Sequence, residues 1–236
     1  MICENFTKIL CINNKTVYNT KYMKKFKKFY AKNSIESGNS IFFEYKFTDP
    51  SKYNTEYLTS IINQYLKLIH KEEISPFVGI CMGEIVSNSI KANLKRAHFI
   101  LNNLDIYNAK DYELGMKNFH DEGLCLLKNK TTARKIKKMH YYVKIDFYLT
   151  DNQFRIVTIN NCAITPEERA RIYSKLKLAE QNESDGLFSE SVDTTEGSGL
   201  GIIMIQKLMN QMGLSRDCFS ISATENETVT ELCIPA

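Results

Sequence analysis

The chain reads as an α+β protein, and three observations carry that reading. Residues 41–47 (IFFEYKF) are a short aromatic-rich run of strand type. Two further pairs of apolar–polar alternating runs, 141–150 with 154–159 and 218–223 with 228–234, are split by Asp151-Asn152 and Glu225-Asn226, the signature of hairpins. Between them lie longer stretches whose apolar residues recur every three or four positions, the period of amphipathic helices.

Composition narrows the class. The 236 residues are long enough to bury a sizeable core, and 43% hydrophobic with 25% charged is the balance of an ordinary globular protein. A net charge of +4 is too small to argue for nucleic acid, and none is expected as a partner. Seven cysteines without a CxxC pair read as reduced thiols, not a disulfide frame or zinc site. No apolar run has the length of a membrane span, and the start, Met-Ile-Cys-Glu-Asn, lacks the basic region of a signal peptide. The expectation is a cytoplasmic protein with no membrane span.

Residues 1–40 read as an N-terminal extension. Within it, Tyr22, Met23, Phe26, Phe29 and Tyr30 share one helical face and lysines the other. Such a helix suits packing on its own domain, or contact with an acidic partner or a membrane surface. After the strand at 41–47, residues 53–70 have helical spacing. Ser75-Pro76 reads as a serine cap with proline in the first helical position, opening a helix to about Arg96. That helix is apolar nearly all round at its centre, yet carries Glu84 and Asn88 four residues apart, hence on one face. Polar groups buried there are costly unless partnered, so they are either tied internally or line a polar cavity with Lys91 and Asn93.

Residues 97–140 read as a helical insertion, with helical spacing over 107–127 and six basic residues between Lys128 and Lys138. That basic run is expected to meet an acidic protein surface. His70 and His120 have only a faint likeness to phosphoacceptor motifs, and His98 and His140 offer nothing sharper. Thr165-Pro-Glu-Glu168 is a capping box opening a helix to about Gln181. A polar stretch follows at 182–196, then glycines alternate at Gly197, Gly199 and Gly201 directly before a helix (Ile202, Ile205, Leu208, Met209, Met212) that Gly213 ends. Glycines before a helix start are either a tight turn or a loop that brings backbone N–H groups to a phosphate.

The two stretches together resemble a known superfamily. Glu84-Ile-Val-Ser-Asn88-Ser-Ile-Lys91-Ala is similar to the N-box, Glu-x-x-x-Asn-Ala-x-Lys-Ala, of the GHKL ATPases, the histidine-kinase-like group. Gly197-Ser198-Gly199-Leu200-Gly201 resembles that group's second glycine box. The resemblance covers about 41–235 apart from the insertion. It implies a two-layer α/β sandwich of Bergerat type: a mixed sheet with three helices on one face, within a domain spanning 41–236. It implies Mg²⁺ held by Asn88 and ATP phosphates held by the amides of Gly197 to Gly201 with Lys91 nearby. Glu84 would orient the attacking nucleophile, and 182–196 would be the ATP lid. The first glycine box, Asp-x-Gly-x-Gly, is replaced by Asn160-Asn161-Cys162-Ala163-Ile164. The alternation Val157, Ile159, Asn161 puts Asn161 in the place of the adenine-reading aspartate, with Asn160 as the alternative one residue off. Thr228 falls near the adenine site.

Two functions follow from the resemblance. The stretch ahead of Ser75 is too short for a phosphoacceptor hairpin as well as the first strand and helix. The expected form is therefore a stand-alone Mg-ATP-dependent protein kinase or ATP-driven switch acting on a separate protein. The other is a non-catalytic nucleotide sensor with a degenerate adenine site. Glu84 argues for the first, and the altered first glycine box for the second.

Overall fold

The structure, a computed structural model, describes residues 41–122, 125–181 and 200–236. The expected basic helix at 21–30, the lid stretch 182–196 and Gly197, Ser198 and Gly199 lie outside these described residues. The strands are β1 (Ile41–Phe47), β2 (Val143–Leu149), β3 (Gln153–Asn160), β4 (Phe219–Ala223) and β5 (Thr228–Pro235). The helices are α1 (Thr55–Leu68), α2 (Ser75–Leu101), α3 (Ala109–Glu122), α4 (Lys130–Lys137), α5 (Pro166–Gln181) and α6 (Leu200–Gln211).

The strands form one sheet in the order β1-β2-β3-β5-β4. Every pairing in it is antiparallel, which corrects the expected mixed sheet. Connectivity sets two of the four pairings, and packing across the sheet sets the other two. β2 and β3 are joined by a tight turn closed by Thr150 N donating to Gln153 O at 3.0 Å, and β4 and β5 by a turn closed by Thr224 N on Glu227 O at 2.9 Å. β5 then meets β3, and β1 meets β2, each running opposite to its neighbour.

Alternation sorts the sheet's two faces. Phe43, Tyr45, Phe47, Val143, Ile145, Phe147, Phe154, Ile156, Leu232 and Ile234 point to one side, where they share a core with α1, α2 and α6. A stack of rings binds the two layers. Tyr65 of α1 lies 4.8 Å from Phe154, almost parallel at 3°, and 5.8 Å from Phe147. The opposite face carries Lys144 on Asp146 (2.7 Å) and Arg155 on Glu231 (2.6 Å).

Helix ends follow local rules. Asn54 Oδ1 accepts from Tyr57 N at 2.8 Å and caps α1. Ser75 is not the cap of α2: it lies within the first turn, and its hydroxyl donates to Asn63 Oδ1. α1, α2 and α6 close with His70, Asn103 and Gly213 in the left-handed region. Lys71, Leu104 and Leu214 then reach back to Leu66, Phe99 and Met209, each at 2.9 Å. His140 (φ 58°) ends α4 in the same conformation. Two of the four histidines thus serve helix ends, and His98 is buried against Phe99 and Phe119.

α2 is longer than its apolar pattern suggests, running to Leu101 over 27 residues, about 40 Å. Its C-terminal part carries the insertion. Leu94, Ala97 and Ile136 form a second cluster with Phe119, Leu126 and Leu127. α3 crosses so near that a Cβ on Gly115 would stand 2.4 Å from the Phe99 ring. The basic residues Lys128, Lys130, Arg134, Lys135, Lys137 and Lys138 are all exposed.

The same part of α2 anchors α5. Thr165 Oγ1 accepts from Glu168 N (3.2 Å) and Glu168 Oε2 from Thr165 N (3.0 Å), the capping box read from the sequence. Glu168 is also gripped by Arg96, through Nη1 at 2.7 Å and Nη2 at 2.5 Å, and by Lys95 Nζ at 2.9 Å. Arg96 Nη2 donates in addition to Ala163 O. Burial alone would raise the Glu168 pKa, but the Arg96 hydrogen bonds and the two cationic charges outweigh it and hold it at about 2. Burial pushes Lys95 below the ordinary lysine value despite its acidic partner.

Because the folded-state pKa of Glu168 is depressed, its stabilising contribution is present above its ordinary value of 4.5 and is lost as pH falls towards 2. Glu168→Gln leaves two buried cations without their counter-charge. It is expected to lower the unfolding free energy by about 3–5 kcal/mol in urea titrations at neutral pH. It should also flatten the pH dependence of stability across that acidic window. A variant as stable as the parent would show that the cluster is not a structural tie.

Candidate functional site

The predicted residues fall into two groups, each in contact with the middle of α2. The first begins with Glu84 and Asn88, one turn apart on the same helix face, Glu84 half-buried and Asn88 exposed. The expectation of a helix buried all round is corrected here, because this face of α2 is not covered by the sheet. Lys91, nearly a turn further on, is exposed. Glu84, Asn88 and Lys91 make no hydrogen bond or ion pair among the described residues. Among the described residues, internal ties, one of the two readings of the sequence, do not account for them.

What stands opposite is the N-terminal turn of α6. A Cβ built on Gly201 would lie 2.5 Å from Glu84 Oε2 and 3.7 Å from Asn88 Nδ2. The two sequence stretches therefore meet, with bare backbone against a carboxylate. Leu200 opens that helix. The arrangement sets a carboxylate and an amide beside the end of a helix whose first N–H groups have no intrahelical partner. Among the described residues no group of three His, Cys, Asp or Glu could hold a metal ion. A divalent cation here would draw on Asn88 and Glu84 and take its remaining oxygens from water or ligand, which is how Mg²⁺ is commonly held.

The second group lies at the C-terminal end of β3. The buried, helix-facing row of that strand is Phe154, Ile156, Thr158 and Asn160, so the parity runs opposite to the Val157–Ile159–Asn161 reading. Asn160 is 2% exposed and occupies the inward position. Asn161 instead pins the start of β2. Its Oδ1 accepts from Tyr142 N at 2.6 Å, and its Nδ2 donates to His140 O at 3.1 Å. Thr228, opposite Asn160 in the β3–β5 register, donates from Oγ1 to Cys162 O at 2.7 Å.

Cys162 is the residue on which these converge, and sequence reading passed over it. Its Sγ accepts from Asn160 Nδ2 (2.9 Å) and donates to Asn93 Oδ1 (3.1 Å). Asn93 Nδ2 donates to Tyr142 O at 2.9 Å. Burial raises the Cys162 thiol above its ordinary value, more than the Arg96 charge lowers it. Cys162 stays a neutral S–H donor at physiological pH. Cys81, Cys162, Cys218 and Cys233 are free. The missed partners, Cys162, Lys95, Arg96 and Glu168, left one local signal, the capping box. The rest are long-range contacts.

Comparison with known proteins adds one relative. A protein of Treponema pallidum (strain Nichols), titled "Uncharacterized protein", is 29% identical over 181 residues. The match takes in 76% of this chain but 35% of that protein, so the chain corresponds to about a third of its relative's length. No family model matches the chain, and no solved structure does. Among the described residues, no helix is long and apolar enough to cross a membrane.

The Glu84–Gly201 contact can be tested directly. Gly201→Ala gains helix propensity of about 1 kcal/mol, while its methyl must displace a carboxylate that has no bond among the described residues. Thermal unfolding should show unchanged or slightly raised stability. In a Glu84→Ala background the same substitution should stabilise more, with a coupling of about 0.5–1 kcal/mol. Strict additivity would mean that the two residues are not in contact.

Proposed function

We propose that the chain is an Mg-ATP-binding domain of the histidine-kinase-like (GHKL) ATPases with a Bergerat-type sandwich, acting in the cytoplasm as a protein kinase or ATP-driven regulatory switch. One observation carries the reading. Glu84, half-buried, and Asn88, exposed, have no partner among the described residues and face Gly201, where a methyl would have to push the carboxylate aside.

Each residue has a physical task in this reading. Asn88 offers a neutral carbonyl oxygen, a hard ligand suited to Mg²⁺. The cation supplies neutralisation of phosphate charge. Backbone N–H groups of Leu200 and Gly201, with those of Gly197 to Gly199 outside the described residues, are the ones to donate to phosphate oxygens, and Lys91 adds a positive charge. Glu84, beside Gly201 and without an ion-pair partner among the described residues, accepts a proton at a carboxylate oxygen from the attacking hydroxyl or water and orients it. The exposed basic face of α4 fits an acidic surface on the protein acted upon.

A second reading, a nucleotide sensor without turnover, is favoured by the base end. There Asn160 stands in a neutral network with Cys162 and Asn93 in place of a carboxylate. Turnover separates the two. With Mg²⁺ and γ-labelled ATP, the purified protein is expected to release or transfer labelled phosphate. Glu84→Gln should cut that rate by about 10²–10⁴-fold and leave the ATP-induced rise in melting temperature intact. Stabilisation by ATP with no turnover selects the sensor, and absence of any Mg-ATP stabilisation removes both readings.

A further inference from the structure

The base end contains a chain of hydrogen bonds whose polarity is fixed by chemistry, independently of how an amide is drawn. It starts at the peptide of Tyr142, whose N–H is held by Asn161 Oδ1. The carbonyl of the same residue, in the next peptide, can only accept, so Asn93 must turn its NH₂ towards Tyr142 O. Asn93 Oδ1 then faces Cys162 and can only accept, so the thiol hydrogen is committed to it. With its hydrogen spent, Cys162 Sγ offers only lone pairs to its other neighbour. Asn160 must present Nδ2 to the sulfur, which leaves Oδ1 on the far side as an acceptor. Among the described residues that oxygen meets no donor.

We propose that Asn93 and Cys162 are positioning residues that lock Asn160 as a hydrogen-bond acceptor, so that the nucleotide site selects a purine bearing an exocyclic amino group over one bearing a carbonyl at that position. This rests on the nucleotide reading above and deepens it. An asparagine is by itself ambiguous: rotated by half a turn, it would offer NH₂ and favour the carbonyl of hypoxanthine or guanine. The relay removes that ambiguity without a charge. Thr228 contributes by holding the Cys162 peptide through its carbonyl, which fixes where the sulfur sits.

The experiment measures dissociation constants of the full chain for Mg-ATP and Mg-ITP, which differ in an amino group against a carbonyl. The parent is expected to prefer ATP by at least about tenfold, since the wrong base sets one carbonyl oxygen against another. Cys162→Ala frees the Asn160 amide to rotate. It should bring the ratio close to one and tighten ITP binding, a gain that mere damage to the fold does not produce. Cys162→Ser, which still accepts and donates, should restore the preference. Asn160→Asp, an acceptor in either orientation, should make the ratio indifferent to Cys162→Ala. Asn93→Ala gives an independent break in the same relay and should act like Cys162→Ala.

A parent that binds both nucleotides equally, or a Cys162→Ala variant that weakens both in proportion, overturns the relay while sparing the nucleotide reading. Binding of neither nucleotide by the parent overturns both.

Discussion

The grip of Arg96 on Glu168 is the constraint on which the rest of this molecule depends. It is buried, it is reinforced by Lys95, and the same guanidinium also holds Ala163 O. One side chain of α2 therefore fixes both the first turn of α5 and the backbone that leads into it from β3. A buried ion pair gives little net stabilisation over an apolar contact of the same volume. What it provides is position. The carbonyls and N–H groups between Asn160 and Thr165 have one place to be, and the residues around Cys162 inherit it.

The two ends of the site differ in kind. Around Glu84 and Asn88 the polar groups have no partner among the described residues and are open to solvent or to a ligand. Around Asn160 they are buried and tied to one another, apart from Asn160 Oδ1, with Asn93, Asn160 and Cys162 all in the interior. An open end with spare acceptors suits a charged, hydrated group, and a closed end with a single fixed acceptor suits a flat, weakly polar one. One helix joins them, since α2 bears Glu84 and Asn88 in its middle and Asn93 just beyond them.

Much of the architecture was legible from local pattern. β1 spans the run read as a strand, both hairpins fall on their turn residues, the Thr165–Glu168 box caps α5, and Gly213 ends α6. These features depend on residues within a few positions of one another. Strand direction was not legible, because which strands become neighbours is decided by packing across the sheet. The inward face of β3 was misread for a similar reason. Val157 and Ile159 look like core residues, yet Thr158 is the buried one. The outward face of the sheet is only partly covered and tolerates branched apolar side chains. Ser75 also looked like a cap, until a partner on another helix, Asn63, claimed its hydroxyl. At the site, the meeting of Glu84 with Gly201 was foreseeable from motif resemblance alone. The role of Cys162 was not, since its partners lie on three separate elements.

The crossing of α3 over α2 has a consequence for anyone who would rebuild this chain. At Gly115 the two helices leave no room for a first side-chain atom above the Phe99 ring. Seating of the insertion is thus a matter of interlocking shape at one point. A substitute segment of different length or charge could be grafted there only if it offers bare backbone over that ring, or if the ring itself is trimmed to receive a methyl.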